Sequence, residues 1–198
     1  ASALARQGYI VAAVNHPGTT SQDRSAQAAA QLWQRPKDLS RAIDALLAQA
    51  TPFGAADSGR IAVIGHSLGG WTVMESAGAR FDPALFARDC DAHPTLVACK
   101  AYREMNPEGT PSGKAQVAAD LSDKRVTAVV SLDLGLSRGF TDASLAALPV
   151  PALVIAAGVP SADLPAQMES ADMAKRLPKM STQYVEIQDA NHFSFMSQ

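Results

Sequence analysis

The stretch Arg60-Ile61-Ala62-Val63-Ile64-Gly65-His66-Ser67-Leu68-Gly69-Gly70-Trp71 decides how the chain is read. Ile61 to Ile64 is a continuous apolar run of the kind that forms a buried strand, and Trp71, Met74 and Ala77 then recur at helical spacing. Gly65-x-Ser67-x-Gly69 lies at the junction, and a strand before it with a helix after is the context in which this spacing carries a nucleophilic serine. Such a turn leaves little room for side chains beside the serine. Glycine at both flanks is read as relieving that crowding, so that Ser67 Oγ projects above the sheet. The N–H of Leu68, at the start of the new helix, is directed at the same space and suits an oxyanion. The competing reading is a structural turn on a sheet that performs no catalysis.

Outward from this junction, four more segments read as strands: Tyr9 to Val14, Val126 to Leu132, Ala152 to Ala156 and Gln183 to Ile187. Most are unbroken apolar runs, as expected where both faces of a strand are covered. Pro36 is placed to open a helix, with Leu39, Ile43, Leu46 and Leu47 forming its apolar stripe. Met168, Met173 and Leu177 mark a further helical stretch after the Ala152 to Ala156 strand. Strand–helix alternation of this kind predicts an α/β class fold, a mostly parallel sheet with helices on both faces. Phe81 to Lys124 breaks the rhythm: Pro94, Pro107 and Pro111 interrupt it and no strand pattern is present. A stretch of this length is read as a helical cap insertion at about 81–124 within one domain.

Composition narrows the class. The 198 residues suit about one domain, and 47% are apolar, although 38 of these residues are alanine. Lys and Arg number 17 against 19 Asp and Glu, for a net charge of −2. This balance lacks the clustered basic surplus of a nucleic-acid binder, so no nucleic-acid partner is expected. No apolar run approaches the roughly 18–20 residues of a membrane span. The chain begins at Ala1 rather than Met, without the charged and apolar segments of a signal peptide. Cys90 and Cys99, both in the expected cap, are a candidate disulfide that would suit a periplasmic or secreted protein; free thiols of a cytosolic protein are the alternative. Two cysteines alone make a poor metal site, and no further Cys or His stands at zinc spacing, so no metal is expected.

A serine hydroxyl needs a base, and four histidines are available. His66 belongs to the turn, which directs it away from the neighbouring hydroxyl; His16 follows the Tyr9 to Val14 run and His93 lies in the cap. Where a G-x-S-x-G serine on a sharp strand-to-helix turn works with an acid and a histidine, the chain order is Ser, acid, His. Only His192, in Asp189-Ala190-Asn191-His192-Phe193, meets that order after a strand. Two aspartates could orient it. Asp133 directly ends the Val126 to Leu132 strand. Asp163 lies in the loop after Ala152 to Ala156, where Gly158 is followed by Val159, Pro160 and Ser161 before any acid appears. Asp133 is favoured and Asp163 is the alternative; the other one is a turn aspartate bonding local N–H groups. Trp71 and Phe193, with Phe195, are expected to line the substrate pocket; ordinary core packing is the alternative reading of these aromatics.

Several motifs together resemble a known group. The elbow with Gly69-Gly70-Trp71-Thr72, the run Ala77-Gly78-Ala79-Arg80-Phe81-Asp82, Asn15-His16-Pro17-Gly18, Trp33-x-Arg35-Pro36-x-Asp38 and Asn191-His192-Phe193-Ser194-Phe195 resemble the bacterial alpha/beta hydrolases of the predicted dienelactone hydrolase group, relatives of platelet-activating-factor acetylhydrolases. In the acetylhydrolases the acid follows the strand after the nucleophile, which matches Asp133. The resemblance implies a carboxylic ester hydrolase with a small-molecule ester substrate and no metal or organic cofactor. Dienelactone hydrolases themselves use a cysteine nucleophile, which Ser67 replaces. The family fold opens with three further strands, and a loop after the third supplies a second oxyanion donor; the chain enters at what would be the fourth. With Leu68 alone as donor, a rate lower by roughly 10²–10³ is expected. A non-catalytic binding domain and an acyltransferase using the same residues are the competing functions.

Overall fold

The computed structural model describes residues 1–48, 54–110 and 112–196, so Pro111 lies outside the described residues. Helices α1 (Ser2–Arg6), α2 (Ala26–Ala29) and α3 (Gln34–Ala48) precede strand β1 (Ile61–His66). Helices α4 (Leu68–Ala77), α5 (Pro83–Ala92), α6 (Val97–Met105) and α7 (Gly113–Val117) lead to β2 (Val126–Leu132). Helix α8 (Asp142–Ala146) then precedes β3 (Ala152–Ala157), and α9 (Ser170–Arg176) precedes β4 (Thr182–Ile187). All neighbours pair in parallel in the order β1-β2-β3-β4. This arrangement places the residues after each strand at one edge of the sheet, where open α/β sheets hold their sites.

One expectation is corrected by the sheet. Tyr9 to Val14 is not a strand; it is irregular and mostly exposed, because an extended segment needs a neighbour for its backbone groups and no described strand pairs with it. Helix α4 packs on β1 and β2, and α9 on β3 and β4. Val63, Val129, Ser131, Val154 and Ala156 are buried. The alternate positions Ile64, Val185 and Ile187 stay 47%, 44% and 39% exposed. Helices α1 and α2 bury no residue, and α3 rests on α4.

The 81–124 stretch is helical, as expected, and it packs inward. Asp82 caps α5 by accepting the N–H groups of Ala84 and Leu85, with Pro83 filling the first position. Phe86, Cys99 and Val117 are fully buried. Trp71 meets Phe81 edge-on at 5.8 Å, and Phe81 in turn packs against Phe86, Tyr102 and Phe140 at 5.3, 5.6 and 6.1 Å. This aromatic cluster joins α4 to α5 and α6. Cys90 and Cys99 are disulfide-bonded, tying α5 to α6. The bridge closes a loop with a sequence separation of 9. Its opening therefore frees little unfolded-chain entropy, and the double Cys→Ala variant is expected to lose about 2.5 kcal/mol in urea unfolding.

Glu75 lies on α4 with no exposed surface, and neither carboxyl oxygen meets a hydrogen-bond donor in bonding geometry among the described residues. Burial, only partly offset by Arg80, holds its carboxyl well above the ordinary carboxylate range. The folded chain therefore keeps a proton that the unfolded chain releases above about pH 4.5, so this site costs stability as pH rises. Glu75→Gln is expected to match the wild type near pH 4 and to be the more stable protein at pH 8. Urea midpoints at the two pH values check this.

Candidate active site

The elbow adopts the backbone that its sequence requires. Ser67 has φ 56° and ψ −121°, a strained conformation for a residue with a side chain, and it caps the N-terminus of α4. A Cβ on Gly65 would lie 2.0 Å from the Gly69 carbonyl oxygen, so only glycine fits there. Gly69 differs from the reading above: a Cβ on it would meet open space. The crowding belongs instead to Gly65 and to Gly70, whose Cβ would stand 2.5 Å from the Leu134 side chain.

His192 opens a 3-10 turn (His192–Phe195) that follows β4, and its side chain is 24% exposed. Its Nδ1 lies 2.7 Å from Asp133 Oδ2 and its Nε2 lies 3.0 Å from Ser67 Oγ. A carboxylate can only accept, so Nδ1–H donates to Asp133, and Nε2 is left free to accept the Ser67 hydroxyl proton. Asp133 is 4% exposed with φ 42°, and its Oδ1 accepts the Ala157 N–H at 2.9 Å. One carboxylate oxygen is thereby anchored on β3 while the other faces the imidazole. Ser67, Asp133 and His192 thus come together from the ends of β1, β2 and β4. Leu68 begins α4, so its N–H has no intrahelical acceptor.

The remaining candidates fall elsewhere. Asp163 is exposed and touches α6 through its main chain, its carbonyl accepting the Val97 N–H at 2.9 Å. Both ring nitrogens of His192 are already engaged without it. Trp71 is fully buried against Phe81 and is a core residue, not part of a pocket lining. Phe193 is 66% exposed, its ring edge-on to His192 at 5.4 Å. His16 bonds Asp38 at 2.8 Å, and His93 is exposed in the loop after α5. Among the described residues, the one Cys/Asp cluster with ligand-like spacing is Asp89, Cys90 and Cys99, and its sulfurs are bonded to each other. Two contacts had no signal in the sequence: the Ala157 N–H on Asp133, and a bond from His66 to the backbone of His192.

A family model described as the alpha/beta hydrolase family matches residues 1–198. The chain belongs to the alpha/beta hydrolase family. No curated protein matches it. Membership accounts for the parallel sheet and for a site built on strand ends, and it makes a hydrolytic reaction on a small molecule the general expectation. No described helix of this hydrolase-family chain is long and apolar enough to cross a membrane.

Proposed function

We propose that the chain is a serine carboxylic ester hydrolase working through an acyl-enzyme, with Ser67 as nucleophile, His192 as base and Asp133 as orienting acid. The observation that carries this is the aligned pair of contacts on His192, 3.0 Å to Ser67 and 2.7 Å to Asp133. His192 Nε2 takes the hydroxyl proton as Ser67 Oγ attacks the ester carbonyl, and Asp133 holds the ring in the tautomer able to do so. The oxyanion forms beside the Leu68 N–H. Collapse expels the alcohol, which takes the proton back from His192; water then repeats the sequence on the acyl-serine and releases the acid. The exposed Phe193 ring beside the base suits a small or moderately apolar ester. The likeness to the dienelactone hydrolase and acetylhydrolase group supports the same substrate class.

A fluorophosphonate probe tests the reading. Covalent labelling is expected on the peptide carrying Ser67 and is expected to vanish in Ser67→Ala. A folded wild type that stays unlabelled overturns the proposal in favour of a non-catalytic binding domain. Added alcohol separates hydrolysis from acyl transfer, since a transferase diverts most of the acyl group to the alcohol.

A further inference from the structure

The serine and its base are carried on opposite edges of the sheet. β1 and β4 are the outer strands, with β2 and β3 between them, so about 14 Å of sheet separates their axes at the usual strand spacing. The turn bearing His192 must lean across that distance. Its internal bonds are local: the Asn191 side chain accepts the Phe193 N–H at 2.9 Å, and Ser194 Oγ accepts the Asn191 N–H at 3.0 Å. They fix the shape of the turn but not its distance from Ser67.

Asp133 holds the ring of His192 at Nδ1, and His66 adds a second hold on the backbone of the turn. The His66 Nε2 lies 2.7 Å from the carbonyl oxygen of His192, and the two imidazoles stand 4.5 Å apart at 40°. A carbonyl carries no proton, so His66 must present Nε2–H, which settles its tautomer. Burial and the neighbouring His192 ring hold the His66 pKa below its ordinary value, with the bond to the His192 carbonyl and then Asp133 pulling the other way, so the ring stays a neutral donor near pH 7. The Phe195 ring lies 5.8 Å from that of His66, tilted by 37°. Because His66 directly precedes Ser67, the nucleophile and the anchor share one stretch of backbone. Ser67 Oγ, the His192 ring, the His192 carbonyl and the His66 ring close a short loop of contacts.

We infer that His66 is a positioning residue for the base, holding His192 at proton-transfer distance from Ser67 through the Nε2–H bond to the His192 carbonyl. The inference rests on the serine-hydrolase reading above. A displacement near 1 Å in such a site costs up to about 10² in rate.

The substitutions separate this role from simple packing. Glutamine places its amide nitrogen near the position of histidine Nε2; asparagine reaches only as far as Nδ1; phenylalanine keeps the ring and has no donor. With a p-nitrophenyl ester as substrate, His66→Gln is expected to keep kcat within about threefold. His66→Asn and His66→Phe are expected to lose about 10- to 100-fold in kcat with KM changed less than threefold. All three are expected to melt within a few degrees of the wild type. Ser67-dependent turnover in the wild type with equally fast His66→Asn and His66→Phe variants overturns the positioning role alone; so does a His66→Gln variant as slow as His66→Asn. Wild-type turnover that survives Ser67→Ala, or is absent, overturns the underlying reading as well.

Discussion

Asp133→Asn is expected to lower kcat by about 10⁴ while leaving the fold intact, and Asp163→Asn is expected to leave kcat within twofold of the wild type. The reason lies in the two bonds made by Asp133. Its Oδ1 accepts the Ala157 N–H, an interaction that the amide oxygen of asparagine can keep. The amide nitrogen then faces His192 Nδ1 and can only donate to it. His192 must carry its proton on Nε2 instead, the atom 3.0 Å from Ser67 Oγ, and it cannot accept the hydroxyl proton. The barrier rises by about 5.5 kcal/mol with hardly any atom displaced. Asp163 is exposed and bonds neither nitrogen. Steady-state kinetics on a p-nitrophenyl ester, with circular dichroism to verify folding, distinguish the two. Equal losses in both variants, or a loss in Asp163→Asn alone, would sink the assignment.

The second large effect concerns stability. Arg138→Leu is expected to cost about 3–5 kcal/mol of unfolding free energy. The Arg138 side chain is 7% exposed, pairs with Asp89 of α5, and lies 3.3 Å from Glu169 Oε1. It stacks over Phe86 with 5.9 Å to the ring centroid. Glu169 is itself 1% exposed and accepts the Ser137 N–H at 2.9 Å and its hydroxyl at 2.7 Å. One guanidinium thus joins α5, the loop leaving β2 and the segment before α9. Without it Glu169 remains buried as a charge with only Ser137 to compensate. Burial already holds the Glu169 carboxyl above its ordinary range despite Arg138 and Ser137. The loss in Arg138→Leu is therefore expected to shrink as pH falls and Glu169 takes up a proton. Arg138→Leu with Glu169→Gln is expected to recover much of the loss at pH 8. Urea unfolding of the single and double variants at pH 5 and 8 checks this. A single variant within 1 kcal/mol of wild type at pH 8 would show that the network holds nothing together.

Much of the architecture follows from local pattern. The apolar runs at 61–64, 126–132, 152–156 and 183–187 become β1 to β4 within a residue or two. Each such run carries its own period and turn signals, so the pattern survives without tertiary information. Tyr9 to Val14 has the same composition and forms no strand, because strand formation depends on a hydrogen-bonding neighbour that composition does not report. The sequence leaves Trp71 open between pocket and core. The helical turn between Ser67 and Trp71 directs the ring into the core against Phe81.

The sequence by itself determined which serine and which histidine are the candidates, because Ser67 is marked by a backbone constraint written in nearby glycines and His192 by its order after the last strand. It left Asp133 and Asp163 both open, since each is an aspartate just beyond a strand. Only the tertiary structure decided which of them stands beside His192, and the physical reason is distance: the carboxylate just after β2 spans the Ala157 N–H and the His192 ring, whereas the Asp163 loop turns away to meet Val97. The same holds for His66, whose hydrogen bond crosses from one edge of the sheet to the other over 126 residues of chain. No local pattern encodes a contact that exists only once four strands have aligned.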